Sequence, residues 1–235
     1  MTTFAPPFGN PRIKTVHSFH ELVGTPFTGG VNALCWPRTL TGDFAEIVAL
    51  LGAGDDIDTL DAATLNALPA SPAGRAAIAH LIADLHLLRT HGLAPVLDCI
   101  QAYPRDENPV GLATDVYSFH ADSAPVPADT FLCTYHGPSS EGLSNEQALR
   151  RIDDPATRAR LLALYGGEDD AGFHVFLSEH CYDLHYATTP DAVPFAFGLG
   201  NLWRIAIAYP GCPVPPCIHR APAQRHDEPR LLLIS

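Results

Sequence analysis

The chain of 235 residues contains 12 histidines, and two stretches combine them with groups that could do chemistry. The first is Phe119-His120-Ala121-Asp122. Side chains at i and i+2 of a strand share a face, so His120 and Asp122 can enter one cavity together. An imidazole and a carboxylate side by side occupy two neighbouring positions around a first-row metal ion. A third ligand has to come from elsewhere, because three protein donors on one side leave the other side open. Two histidines and one carboxylate make the arrangement associated with non-haem Fe(II) oxygen chemistry. A histidine and an aspartate two residues apart arise easily by chance. This pair gains weight from its setting, at the end of the apolar strand Asp115–Phe119 and ahead of a Pro-rich loop and a second strand, Phe131–Tyr135. The second stretch lies near the C-terminus: Cys217-Ile218-His219-Arg220-Ala221-Pro222, a loop over Gln224 to Glu228, then Pro229-Arg230 and the apolar run Leu231–Ile234. A histidine on one short strand is thus followed, 11 residues later, by an arginine opening the next.

With these residues the chain resembles the Fe(II)/2-oxoglutarate-dependent dioxygenase superfamily, whose pattern is H-x-D, a long gap, a distal His and then an Arg. More narrowly, it looks like an uncharacterised bacterial family with H-x-D, L-C-T-Y-x-G-P-G-T-E-W-L, H-R-S-P and R-L-L-L. Here Leu132–Leu143 reads LCTYHGPSSEGL, followed later by His219-Arg220-Ala221-Pro222 and Arg230-Leu231-Leu232-Leu233. The chain departs from that family at Ser139-Ser140 (Gly-Thr), Gly142 (Trp) and Ala221 (Ser). The likeness covers roughly residues 112–235, with a looser echo at Asn32–Arg38. It implies a double-stranded β-helix (a cupin-like jelly roll) with His120, Asp122 and His219 as ligands of Fe(II). It also implies that Arg230 clamps the distal carboxylate of 2-oxoglutarate, and that the reaction is a hydroxylation with dioxygen. A hydroxyl often assists at that carboxylate. Thr134 and Tyr135 are the candidates, strand alternation admits only one of them, and Tyr135 is the one expected. The substrate expected from the residues is a small polar metabolite, because the chain is acidic and Asn145–Tyr165 could cap the cavity mouth.

The residues support part of this on their own. Arg230, Leu232 and Ile234 alternate onto one strand face, which brings a cation into an apolar wall where it needs an anionic partner. Guanidinium geometry suits a bidentate grip on a carboxylate. The plainer reading of Arg230 is an ion pair at a strand start. Arg220, next to His219, faces the opposite side and reads as structural. Arg204 sits among Trp203, Ile205 and Ile207, which alternate to the other face, so it is expected toward solvent. Two other metal sets compete. Cys212-x4-Cys217-x-His219 offers soft ligands to zinc, but Pro213, Pro215 and Pro216 stiffen the run and no fourth ligand is evident. His180-Cys181-Tyr182-Asp183-Leu184-His185 reads as polar surface or as a loop offering His185 or Tyr182 to a substrate. No G-x-S-x-G, Gly-Lys-Ser/Thr phosphate loop or dinucleotide fingerprint is present.

These residues need a scaffold, and the chain reads as α+β, mainly β: a single domain over 1–235, with a mostly helical preface over 1–92 buttressing a β core over 93–235. Helices are expected after an N-cap at Thr41, where Phe44, Ile47, Val48 and Leu51 recur at helical spacing, over Asp58–Leu68, and over Ala73–Arg89 up to Gly92. A further helix is expected over Asn145–Tyr165, kinked or broken at Pro155. Strands are expected at Val31–Trp36 on a sheet edge, Val96–Cys99, Val116–Phe119, Thr130–Tyr135, Phe173–Leu177, Leu202–Tyr209, Cys217–His219 and Arg230–Ile234. The 22 prolines favour ordered loops between short strands.

With 14 Lys and Arg against 26 Asp and Glu, the formal charge is -12. Such a surface disfavours nucleic-acid backbones and anionic headgroups as partners. Met1–Lys14 lacks an apolar signal region and no long apolar run occurs, so a cytoplasmic protein without a membrane span is expected. Six cysteines without a C-x-x-C pair read as reduced thiols. Two other functions fit the same residues: a cupin-like metalloenzyme that does not use 2-oxoglutarate, and a non-catalytic metal-binding or sensory module.

Overall fold

A computed structural model describes residues 10–52, 54, 56–107, 109–223 and 228–235. In chain order the elements are β1 (Ile13–Thr15), α1 (Phe19–Gly24), β2 (Ala33–Trp36), α2 (Phe44–Leu51), β3 (Ile57–Leu60), α3 (Ala62–Ala67), α4 (Pro72–Thr90), β4 (Val96–Ile100) and β5 (Phe119–His120). There follow β6 (Asp129–His136), β7 (Glu141–Leu143), β8 (Ala148–Arg150), α5 (Pro155–Tyr165), α6 (Ala171–Glu179), β9 (His185–Thr188), β10 (Phe195–Ala196), β11 (Leu202–Ala206), β12 (Ile218–Arg220) and β13 (Arg230–Ile234). Each α-helix starts at a Ser or Asp whose side chain accepts a first-turn amide: Ser18, Asp43, Asp61, Ser71, Asp154 and Asp170.

The fold is mixed α+β, with two curled and largely antiparallel sheets. One runs β1-β2-β11-β6-β13-β4-β3 and the other β10-β7-β12-β5-β9-β8. Strand alternation sorts their residues. Phe131, Cys133 and Tyr135 of β6, with Leu231 and Leu233 of β13, pack against Leu22, Ile47, Leu81, Leu85 and Leu88 of the helices. Leu132, Trp203, Ile205 and Leu232 project the other way and meet Phe197 and Cys217 in a second core. The central strand β6 is therefore buried on both faces. A smaller cluster, with Leu161, Phe173 and Leu177, joins α5 to α6. Among the described residues, no helix is long and apolar enough to cross a membrane.

Several elements differ from the sequence reading. The first 92 residues form four helices but also give β1, β2 and β3 to the first sheet. β2 is not an edge strand, because β1 pairs with it in parallel. Asp43, not Thr41, caps α2. Asp58–Leu68 divides into β3, paired with β4, and the short helix α3. Asn145–Tyr165 is not one helix: two 3-10 turns and β8 precede α5, where Pro155 takes the first helical position and its missing N–H costs no bond. Phe173–Leu177 lies inside α6, not on a strand. Its apolar residues look like a strand run, yet Phe173 and Leu177 are buried at helical spacing behind the Asp170 cap.

Candidate metal centre

His120 stands on a strand of two residues, held on both sides. It is paired directly with His219 of β12 and with His185 of β9. Asp122 follows just past the strand, where its backbone oxygen accepts from Ala208 N at 2.8 Å and the Ala121 amide donates to Leu184 O at 3.0 Å. This pairing carries His219, 99 positions away in sequence, to within reach of the His120/Asp122 pair. His120 Nε2 and His219 Nε2 each lie 3.8 Å from Asp122 Oδ1, and one donor atom from each residue falls within 4.8 Å of the others. Two donors about 2.1 Å from an ion stand about 3.4 Å apart at the tetrahedral angle and about 3.0 Å apart at a right angle. Closing on an ion would draw each Nε2 toward Asp122 Oδ1 by about 0.4 Å for the tetrahedral angle and about 0.8 Å for the right angle.

The surrounding groups settle which atoms face inward. Nδ1 of His120 meets the Ser118 carbonyl at 2.8 Å, and Nδ1 of His219 meets the Cys217 carbonyl at 3.5 Å. A carbonyl can only accept, so Nδ1 is the donor in each ring and Nε2 keeps its lone pair for a ligand bond. Thr130 donates to Asp122 Oδ2 at 2.6 Å, leaving Oδ1 for the ion. Such outer partners fix the orientation of metal ligands. Burial, reinforced by the neighbouring His219, pushes the pKa of His120 below its ordinary value and favours the neutral, ligating ring. Burial alone would raise that of Asp122, but His219, the Thr130 hydroxyl and His120 outweigh it and hold the carboxyl below its usual range. A neutral imidazole and an ionised carboxylate are the forms that bind a cation. The triad is a two-His-one-carboxylate set able to coordinate a metal ion, consistent with a metal-binding oxygenase superfamily.

Arg230 opens β13 and is only 2% exposed. It donates to Pro138 O at 2.8 Å, to Ser140 Oγ at 3.0 Å and to the Tyr103 hydroxyl at 3.4 Å. No described carboxylate lies within ion-pair distance of it. The other deeply placed arginine differs: Arg38 grips Asp84 with two bonds of 2.7 and 2.8 Å. Burial pushes the Arg230 pKa below its ordinary value, against the opposing effect of Tyr103.

Tyr135 goes elsewhere. It faces the helices, stacks on Phe44 with centroids 5.5 Å apart and donates to Asp84 Oδ2 at 2.6 Å. Alternation does admit only one of Thr134 and Tyr135 to the space between the sheets, and that one is Thr134. Its hydroxyl is buried with no hydrogen-bond partner. The pull on Tyr135 comes from Asp84, an acid on the apolar stripe of α4 that needs donors. Arg38 and Tyr135 supply them.

The remaining candidates separate clearly. Among the described residues, Cys212 and Cys217 join no group of converging ligands, and burial pushes the Cys217 thiol up to about 12. Arg220 pairs with Glu141 at 2.7 Å and lies over the Phe119 ring, as a structural residue would. Arg204 is not left to solvent: it binds Asp129 and donates to the carbonyls of Leu22, Val23 and Thr25 at the end of α1. From the His180–His185 stretch, His185 reaches the site's edge, with its ring 5.7 Å from that of His120. Burial pushes its pKa down to about 4, with His120 and Arg151 adding to the effect. Residues 224–227 of the loop before Arg230 lie outside the described residues. No protein-family model, curated protein or solved structure matches this chain.

Proposed function

We propose that the protein is an Fe(II)/2-oxoglutarate-dependent oxygenase acting on a small polar molecule, built on a double-stranded β-helix. The observation that carries this reading is a pair of features: a facial His120/Asp122/His219 triad, and a buried Arg230 with no carboxylate partner among the described residues. A guanidinium deep in a protein is normally matched by an anion, and a dicarboxylate cosubstrate would supply one. Dioxygen would be the oxidant, with 2-oxoglutarate giving up two electrons as it is oxidised at the iron, and the chain's own groups would do the holding and orienting.

In that division of labour, His120 and His219 present Nε2 because the Ser118 and Cys217 carbonyls occupy Nδ1. Asp122 presents Oδ1 because Thr130 occupies Oδ2. Arg230 takes the distal carboxylate of 2-oxoglutarate, and Thr134 offers the second hydroxyl-bearing contact in the role expected of Tyr135. Its buried, unpartnered Oγ supports that assignment. Trp203, Phe197 and Leu232 form an apolar wall that excludes water. The chain's charge of -12 favours a small substrate over a nucleic acid.

The test is anaerobic. Adding Fe(II) and then 2-oxoglutarate to the protein should give the weak visible charge-transfer band of the chelate. His219→Ala should abolish it through loss of iron, and Arg230→Ala should shift its appearance to far higher 2-oxoglutarate. Iron binding that survives in a His120→Ala/His219→Ala double variant would refute the triad. Tight iron binding without the band would favour a metalloenzyme that does not use 2-oxoglutarate.

A further inference from the structure

Three imidazoles stand in a row across the second sheet. His219 of β12, His120 of β5 and His185 of β9 occupy directly paired positions. Residues paired across neighbouring strands project from the same face, so His185 shares the side of the two triad histidines. It is 4% exposed. It also stands outside the converging donors, since its ring is 5.7 Å from that of His120 whereas His219 is at 4.7 Å.

Ser118 bears on which nitrogen of His185 carries the proton. Its hydroxyl has one proton to give and lies 2.9 Å from the Asp115 carbonyl and 2.7 Å from Nδ1 of His185. With that proton on the carbonyl, the second contact runs from ring to oxygen, Nδ1 is protonated and Nε2 holds a lone pair. No donor among the described residues meets that lone pair. The carbonyl of Ser118 holds Nδ1 of His120 in the same way, so one serine sets both rings in one tautomer and ties their positions together.

We propose that His185 is a substrate-binding residue: its Nε2 accepts a hydrogen bond from a hydroxyl, amide or ammonium group of a small molecule lying beside His120. This rests on reading the triad as a metal site, though not on the identity of the ion or on the use of 2-oxoglutarate. Substrates lacking an N–H or O–H near the reacting atom would leave this acceptor empty, and the site would select against them.

The test uses the full chain loaded with zinc, a redox-silent ion, and labelled with nitrogen-15 at histidine. Long-range proton–nitrogen spectra should show His185 protonated at Nδ1, with Nε2 bare and not metal-bound. Acetamide at high millimolar concentration should move the Nε2 resonance, whereas N,N-dimethylacetamide, which has no N–H, should not. Zinc affinity should stay within about threefold of the original in His185→Phe, less than the roughly 10–100-fold cost of losing even an outer partner of a ligand. His120→Ala should lose zinc outright. A metal-bound Nε2, or zinc lost with His185, would make it a fourth ligand and overturn the proposal. A proton on Nε2, or no response to acetamide, would overturn it too. Failure of the protein itself to bind zinc would overturn both this proposal and the metal site, whereas failure of the 2-oxoglutarate band alone would leave these readouts intact.

Discussion

Replacing Arg230 by Met should separate function from stability in an unusual way. Met keeps the length and apolar bulk of the side chain and removes its charge. The guanidinium makes three hydrogen bonds to neutral groups, at 2.8, 3.0 and 3.4 Å, and no ion pair with a described carboxylate. Bonds from a charged donor contribute about 1.5–3 kcal/mol each, and removing a cation from water costs several kcal/mol. The two nearly cancel. Arg230→Met is therefore expected to change the stability of the metal-free protein by no more than about 2 kcal/mol in either direction, well short of the 3–5 kcal/mol lost when a paired buried charge is stranded. Binding should respond quite differently. A bidentate grip on a carboxylate is two charge-assisted bonds, about 3–6 kcal/mol in all, or roughly 100- to 10,000-fold in affinity. Urea denaturation reads the first quantity, and anaerobic 2-oxoglutarate titration of the Fe(II) protein reads the second. A stability loss above about 4 kcal/mol would identify Arg230 as a structural charge whose partner has been overlooked. An unchanged 2-oxoglutarate affinity would remove Arg230 from the site.

Further outcomes follow from the same geometry. Asp84→Ala leaves Arg38 buried without its carboxylate, so stability should fall by about 3–5 kcal/mol and the melting temperature by about 6–20 °C. Tyr135→Phe, which removes one bond to Asp84, should cost about 1.5–3 kcal/mol and leave metal affinity unchanged, as thermal melts and zinc titration would show. Thr130→Val frees Asp122 Oδ2 and should weaken metal binding about 10–100-fold, measured by competition with a chelator. Burial pushes the Cys35, Cys133 and Cys217 thiols up to about 12, so at pH 8 only about one in 10,000 of each is thiolate. Exposed Cys181 should therefore react first with a thiol reagent, and those three only after unfolding.

Of the candidate triad, His120 and Asp122 were legible as a pair by a short-range rule, whereas His219 was joined to them only through the resemblance, since its pairing with His120 spans 99 positions. His120 and Asp122 are two apart beside a strand, and His219 and Arg230 begin or sit in short strands divided by a loop. Alternation also limited Thr134 and Tyr135 to one inward residue, but it carries no information about phase. That was set by Asp84, 51 positions away from Tyr135, and by Arg38 beside it. The same limit explains Arg204: its neighbours do own the core, yet the face it occupies is covered by the end of α1 instead of water. His185 could be suspected only as a polar residue in an ambiguous stretch, because its significance lies in its register with His120. Phe173–Leu177 failed for a different reason. A short apolar run satisfies both periods, and the Asp170 cap just upstream was the decisive sign.

Gly142 pairs with His219 on one side and with Phe195 on the other, and a Cβ at position 142 would come within 2.2 Å of the Phe195 ring. The bulk that covers this strand is thus borrowed from its neighbour, an aromatic ring lying over a bare backbone. The lender is β10, two residues long and at the sheet's border. Whatever loosens that border strand also uncovers the flank of His219, so the breathing of an outlying segment and the geometry of the candidate metal centre become one variable.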